Sequence, residues 1–99
     1  MTYPLTLVPE AEQELLEATR RYDEIRDGLG DEFLESVDTA LNRIRRGPRQ
    51  APVILKTARV ALVERFPYIV VYEFAHERVR VLAIQHSHRD PAAWQTRVD

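Results

Sequence analysis

Two segments in the first half of the chain have the hydrophobic spacing of amphipathic helices. After a short β-prone run at residues 3–8, apolar side chains recur at steps of three and four, the period of one helix face. The stripes are Ala11, Leu15, Ala18, Tyr22 and Ile25, then Leu29, Phe33, Val37, Leu41 and Ile44. Pro9 suits the start of the first helix and Gly47-Pro48 the end of the second. With almost no loop between them, the two helices are predicted to form an αα-hairpin.

The second half of the chain instead alternates apolar and polar positions, which indicates β-strands. Three β-branched runs carry this pattern: residues 59–65, 68–74 and 78–86. Phe66-Pro67 and residues 75–77 are the breaks between them. Connections this short favour an antiparallel meander with one face under the helices.

A last helix is predicted after Asp90-Pro91, which supplies an N-cap and a first-turn proline, so that residues 92–97 carry Trp94 in a short helix or tail. The order is therefore β-α-α-β-β-β. This is an α+β fold in which an N-terminal strand and an αα-hairpin pack on an antiparallel sheet. The length of 99 residues suits one domain, and we expect it to span residues 1–99.

Composition narrows the location and the chemistry of the protein. There is no cysteine, which excludes disulfides and thiolate sites, and no apolar run approaches the length of a membrane span. We therefore expect a cytoplasmic protein without membrane contact. Residues 1–38 carry a net charge of −8 and the remainder +6. Such a division favours an anionic partner for the basic part, or attraction between two faces of the molecule.

Several short motifs occur in an order that resembles the RelE/ParE superfamily of toxins from type II toxin–antitoxin systems. They are Ala-Glu-x-x-Leu at residues 11–15, Phe-x-x-x-Val at 33–37, Arg-Phe-Pro-Tyr at 65–68 and His-x-x-Arg-Asp-Pro at 86–91. The similarity runs from about Val8 to Arg97. It implies a bacterial toxin, neutralised by a cognate antitoxin in a toxin–antitoxin hetero-oligomer.

The resemblance leaves the cellular target open. RelE-like members cleave messenger RNA on the ribosome, whereas ParE-like members inhibit DNA gyrase. RelE-like nucleases are rich in lysine and carry a catalytic tyrosine or histidine near the C-terminus. This chain has only Lys56 and no tyrosine after Arg89, which favours the ParE-like branch. An inactive member that only forms a complex is a third reading.

A metal-independent nuclease would need a base, an acid and cations for the phosphorane charge. The candidates are Arg59, Arg65, His86 and Arg89. Arg59 and Arg65 are six residues apart, so a regular strand would place both on one face. The alternative is that the arginines are solvated or paired with the acidic helices. His86 and His88 lack a third ligand, so we expect neither a metal nor another cofactor.

Binding of an antitoxin or a target would use a related set of residues. The candidates are Lys56, Arg59, Arg65, His88, Arg89 and Trp94. Antitoxin tails in this superfamily are commonly acidic, and a basic sheet face would attract one. Trp94, Tyr68 and Tyr72 could stack on nucleic-acid bases, but packing in the core is the commoner role of such aromatic side chains.

Overall fold

The computed structural model describes residues 2–98, and its two long helices form the predicted αα-hairpin. Helix α1 spans Pro9–Ile25 and helix α2 spans Leu29–Arg46. Gly28, with φ of 88°, provides the left-handed residue that lets α2 follow α1 after a connection of only three residues. The Gly30 N–H donates to Asp23 Oδ1 at 2.8 Å, which ties the start of α2 back to α1.

Five strands form one mixed sheet beneath the hairpin. They are β1 (Leu5–Leu7), β2 (Val53–Leu55), β3 (Ala58–Leu62), β4 (Tyr68–Ala75) and β5 (Arg78–His86). Their order across the sheet is β1-β5-β4-β3-β2. The last four strands pair antiparallel, as the short connections predicted, and β1 joins β5 in parallel.

Three details of the sheet differ from the sequence-based predictions. The N-terminal strand is shorter than the run at residues 3–8 and lies parallel to its neighbour. The connection after α2 contains the strand β2, which was not predicted. Strand β3 ends at Leu62 instead of continuing to residue 65, because residues 63–67 form the turn into β4.

The helices cover one sheet face and bury the main core. Both predicted helix stripes contribute to it, with Phe33 and Val37 almost fully buried in the same cluster as Tyr68 and Tyr72 of β4. Strand β5 contains a β-bulge, since Val71 pairs with Ala83 while Tyr72 pairs with Val81. The bulge turns Leu82 and Ala83 to the opposite face of the sheet and returns Ile84 to the core.

The C-terminal segment packs on the face away from the helices, which we call the outer face. Helix α3 (Ala92–Gln95) begins where Asp90 Oδ1 accepts a hydrogen bond from the Ala92 N–H at 2.9 Å. Trp94 is 3% exposed and lies on an outer-face cluster of Ala58, Val71, Leu82 and Ala83. No helix within residues 2–98 is long and apolar enough to cross a bilayer.

Candidate functional site

Arg59 is engaged in holding the chain between α2 and β2. Its Nη1 donates to the carbonyl oxygens of Ala51 at 2.6 Å and Arg49 at 3.1 Å. Tyr72 lies opposite Arg59 in the β-ladder, and its hydroxyl donates to the Pro48 carbonyl at 2.8 Å. Burial raises the pKa of the Tyr72 hydroxyl, and the Arg59 charge opposes that shift. The two side chains thus satisfy three backbone carbonyls of a connection that has few of its own hydrogen bonds.

Arg65 lies in the β3–β4 turn, outside any strand. Its backbone has a φ of 74°, and its Nη2 donates to Glu32 Oε1 at 2.7 Å. The guanidinium also lies 5.6 Å from the ring centre of Phe66. The expectation that Arg59 and Arg65 share one face of a regular strand is therefore wrong, because the strand ends before Arg65.

Glu32 also accepts a hydrogen bond from Arg26 at 3.1 Å, so one carboxylate bridges two arginines. The hydrogen bonds from Arg65 and then Arg26 hold the pKa of Glu32 below its usual value.

His86 and Arg89 come together at the end of β5. The His86 ring packs edge-on to Tyr68 at 5.6 Å and lies 5.3 Å from the ring of His88. The His88 N–H donates to His86 Nδ1 at 3.1 Å, which favours the neutral tautomer that carries its proton on Nε2. Arg89 approaches Glu14 at 3.7 Å.

Arg21 adds a further cation to this group from helix α1. Its Nη2 donates to the Tyr68 hydroxyl at 3.0 Å, and this hydrogen bond raises the pKa of Arg21 above its usual value. We call Arg21, Tyr68, His86 and Arg89 the β5-end cluster. With Glu14 and its neighbours they line a pocket of about 70 Å³. The cluster offers two guanidinium groups, a hydroxyl and an imidazole, which could hold an anion and exchange a proton with it.

Glu14 supports the floor of this pocket by completing the open edge of β5 beyond β1. It accepts hydrogen bonds from the Ile84 N–H at 3.1 Å and from Gln85 Nε2 at 2.8 Å. Arg97 pairs with Glu14 at 3.1 Å and donates to the Leu82 carbonyl at 2.8 Å. One acid and one base thus replace the hydrogen bonds of an absent neighbouring strand.

Sequence reasoning missed Arg21, Tyr68 and Glu14 as members of this site. Arg21 and Glu14 look like ordinary solvated helix charges, and only the packing of α1 on β4 and β5 assigns them partners.

The other two candidates lie elsewhere. Lys56 lies exposed in the β2–β3 turn with a φ of 50°, and Trp94 is buried on the outer face, so it is not a surface residue of this structure. Among residues 2–98 there is no group of three or more histidine, aspartate or glutamate side chains placed to hold a metal ion.

Comparison with known proteins places this geometry in a family. A family model described as the ParE toxin of the type II toxin–antitoxin system parDE matches residues 5–91. The search of curated proteins returns no match. One similar solved structure is the chromosomal ParDE toxin–antitoxin system from P. aeruginosa, with a TM-score of 0.76 and 13% identity. The match covers 86% of this chain and 96% of that one.

A second similar structure is the toxin–antitoxin complex RelBE2 from Mycobacterium tuberculosis, with a TM-score of 0.62 and 18% identity. That match covers 87% of this chain and 99% of the other. These two likenesses establish the fold that the motif order implied. The family model covers most of the chain, and the chain therefore belongs to the ParE toxin family of type II toxin–antitoxin systems.

Proposed function

We propose that this protein inhibits growth by binding an essential protein target in the bacterial cytoplasm, with DNA gyrase as the target that the resemblance implies. The observation that carries the proposal is the dispersal of the catalytic candidates. Arg59 holds a connection and Arg65 pairs with Glu32, so neither joins His86 and Arg89. A binding toxin needs no such array, and the family match supports that branch.

A cognate antitoxin is the second part of the proposal. The two similar structures are described as a ParDE toxin–antitoxin system and a RelBE2 toxin–antitoxin complex. Residues 39–99 of this chain carry a net charge of +6, which would speed association with an acidic antitoxin segment. Lys56, His88 and Arg89 are exposed and available for such a contact.

One observation favours ribosome-dependent cleavage of messenger RNA as a second candidate function. The β5-end cluster combines an imidazole, a tyrosine hydroxyl and two guanidinium groups around one pocket. His86 would exchange the proton, and Arg21 and Arg89 would stabilise the phosphorane charge. In this scheme Tyr68 takes a place that family nucleases give to a residue near the C-terminus.

Expression of the protein in a bacterial host, followed by assays of the purified protein, tests these functions. We expect arrested growth, inhibition of gyrase supercoiling and intact messages. Co-expression of an acidic protein encoded beside this gene should restore growth. Cleaved messages with unaffected supercoiling would contradict the gyrase proposal, and unimpaired growth would leave only the complex-forming reading.

A variant separates the two active functions. If the protein is a nuclease, His86→Gln should slow cleavage about a hundredfold, the size of a general acid–base contribution. If it is a gyrase inhibitor, His86→Gln should leave inhibition of supercoiling within about twofold, since His86 then has no proton to transfer. Arg46→Gln, at an exposed position at the end of α2, is the matched control for expression and folding.

A further inference from the structure

A groove of about 370 Å³ lies at the end of the sheet where the β2–β3 and β4–β5 turns meet. We call it the turn-end groove. It is lined by Thr6, Thr57, Glu73, Ala75, His76, Arg78 and Arg80. It is separate from the β5-end cluster, since the two share no lining residue and lie at opposite ends of β5. Its volume lies within the range of small-molecule sites.

The strand register places this groove on the outer face. Leu5 and Leu7 pack toward the helices, so Thr6 between them projects the other way. Thr6 pairs with Arg80, and Arg80 pairs with Glu73, which sets three polar side chains in one row across β1, β5 and β4. The Trp94 cover lies on the apolar part of this face, among residues that do not line the groove.

Glu73 is the one carboxylate among the described residues that line the groove, and its charge is compensated from within the protein. The side chain of Glu73 is 7% exposed, and its two oxygens accept hydrogen bonds from the Thr57 hydroxyl at 2.5 Å and from Arg80 Nη2 at 2.7 Å. Arg78, two residues before Arg80 on the same face, is exposed and has no hydrogen-bond or ion-pair partner for its side chain among residues 2–98. Arg78 is thus a guanidinium group available to a ligand.

The turn that frames the groove is strained. His76 and Glu77 have φ values of 54° and 60°, although neither is glycine or asparagine. A positive φ is sterically unfavourable for a residue with a Cβ atom, and strain of this kind concentrates at binding sites. It holds His76 in the groove wall next to Arg78.

We propose that the turn-end groove binds a small amphipathic monocarboxylate. Most lining residues are polar, but the surface that they expose to the groove is mostly carbon, so it favours a ligand with an apolar body resting on Ala75 and the threonine methyl groups. The fork of Arg78 matches one carboxylate in bidentate geometry. A dianion is disfavoured because the Glu73 carboxylate lies in the same groove. This inference concerns a ligand site beyond the proposed toxin function and does not depend on it.

Titration of the isotope-labelled full chain, followed by backbone amide chemical shifts, tests the proposal with hexanoate as the probe. We expect saturable shifts at Ala75, His76 and Arg78 with a Kd on the order of millimolar. Hexanamide, which has the same apolar body without the charge, should bind at least about tenfold more weakly, as should acetate, which lacks the apolar body.

If the groove binds an anion, two variants should change its affinity for hexanoate in opposite directions. Arg78→Gln should weaken hexanoate binding about tenfold, and Glu73→Gln should strengthen it about threefold by removing a like charge, while its amide oxygen can still accept from Arg80 and its amide nitrogen can donate to the Thr57 hydroxyl. Arg46→Gln is the control with the same loss of charge at an exposed residue that does not line the groove. The unfolding temperature of each variant checks that the fold is intact.

The proposal is overturned by equal affinity for hexanoate and hexanamide, by an unchanged Kd in Arg78→Gln, or by weaker binding in a folded Glu73→Gln variant. The peptide acetyl-Gly-Gly-Leu carries a carboxylate at its C-terminus. Binding of this peptide without binding of hexanoate would also overturn the proposal, because the groove would then recognise the end of a polypeptide and not a small carboxylate.

Discussion

At the scale of single residues, the arginine side chains of this protein make different kinds of contact, although their positions in the sequence look alike. Arg59 donates to two carbonyl groups, Arg65 bonds to Glu32, and Arg78 has an open guanidinium. The difference arises from what each side chain meets in three dimensions. Strand ends and turns decide this, because a turn redirects the side chain that a continued strand would have aligned.

The contacts of Glu32 with its two arginines can be tested by the pH dependence of stability. Hydrogen bonds from Arg65 and Arg26 lower its pKa in the folded state below the usual value of 4.5. The unfolded chain therefore takes up a proton first, and the stability contributed by Glu32 is present above pH 4.5 and lost as the pH falls through the lower folded pKa. We expect Glu32→Gln to flatten the pH dependence of the free energy of unfolding in this window.

Urea titrations at a series of pH values measure this effect. Glu35→Gln, on an exposed part of the same helix, is the matched control and should leave the acid slope unchanged. The effect of Glu32→Gln should shrink in high salt, because the ion pairs lie at the surface. A slope that stays the same in Glu32→Gln would contradict the assigned role of the two arginines.

Part of the candidate site could be predicted from the sequence. His86 and Arg89 were chosen as candidates for their side-chain chemistry, and they lie close together because His86 ends the well-patterned strand β5 and Arg89 comes three residues later. Their association with Arg21 and Glu14 was not predictable, because the crossing of α1 over β5 depends on packing between elements more than fifty residues apart along the chain. The burial of Trp94 could be expected only from its residue type, because large aromatic side chains usually pack in a core.

At the scale of elements, the β4–β5 hairpin shows a conflict between local propensity and the fold. Its two-residue turn, His76-Glu77, has the positive φ angles of a type I′ turn, which asparagine and glycine prefer. The pairing of Ala75 with Arg78 fixes this turn, since the strands on both sides are long and well packed. The strands thus impose a conformation that the turn residues do not favour.

Glu77→Gly is expected to relieve this strain. Glycine adopts positive φ without the steric cost of a Cβ atom, so we expect a gain of about 1 kcal/mol in the free energy of unfolding. Glu77→Ala keeps the Cβ and removes the charge, and it should change stability by less than about 0.5 kcal/mol. Denaturant unfolding of both variants measures the difference. A loss of stability in Glu77→Gly would show that the extra conformational entropy of glycine in the unfolded chain outweighs the relief of backbone strain.

The hydrophobic pattern predicted the elements best where it was long. Both helices and the β4 and β5 strands have clear periods and were found close to their observed limits. Strand β2 was missed because three residues, two of them half-exposed, carry no alternation. The bulge at Leu82 was also missed, because a run of apolar residues fits either face of a strand until its partner fixes the register.

At the scale of the whole molecule, part of the charge division along the chain is used inside the fold. Glu14 and Glu32 of the acidic first third pair with Arg97 and Arg65 of the basic remainder. Attraction between two faces of the same molecule and attraction of an anionic partner are therefore compatible. The internal ion pairs neutralise some of the basic charge. Exposed arginines remain in the turn-end groove and at the end of β5, where an anionic ligand could bind.

The pair between Glu14 and Arg97 joins the first helix to the C-terminal segment, and its loss should be felt across the molecule. The side chains are only 11% and 16% exposed, and Arg97 also donates to the Leu82 carbonyl. Arg97→Ala would leave a mostly buried carboxylate without this partner and remove the donor from an edge carbonyl. We expect a loss of about 3 kcal/mol in the free energy of unfolding, the range for breaking a buried ion pair.

Denaturant unfolding measures this loss, and amide hydrogen exchange locates it. Arg89→Ala is the matched control, because Arg89 is 55% exposed and lies 3.7 Å from the same carboxylate. It should cost less than about 1 kcal/mol. In Arg97→Ala, exchange of the Ile84 amide should accelerate beyond that of the Phe33 amide, because Glu14 loses the cation that orients it toward β5. Equal losses of stability in Arg97→Ala and Arg89→Ala would mean that burial does not strengthen the ion pair between Glu14 and Arg97.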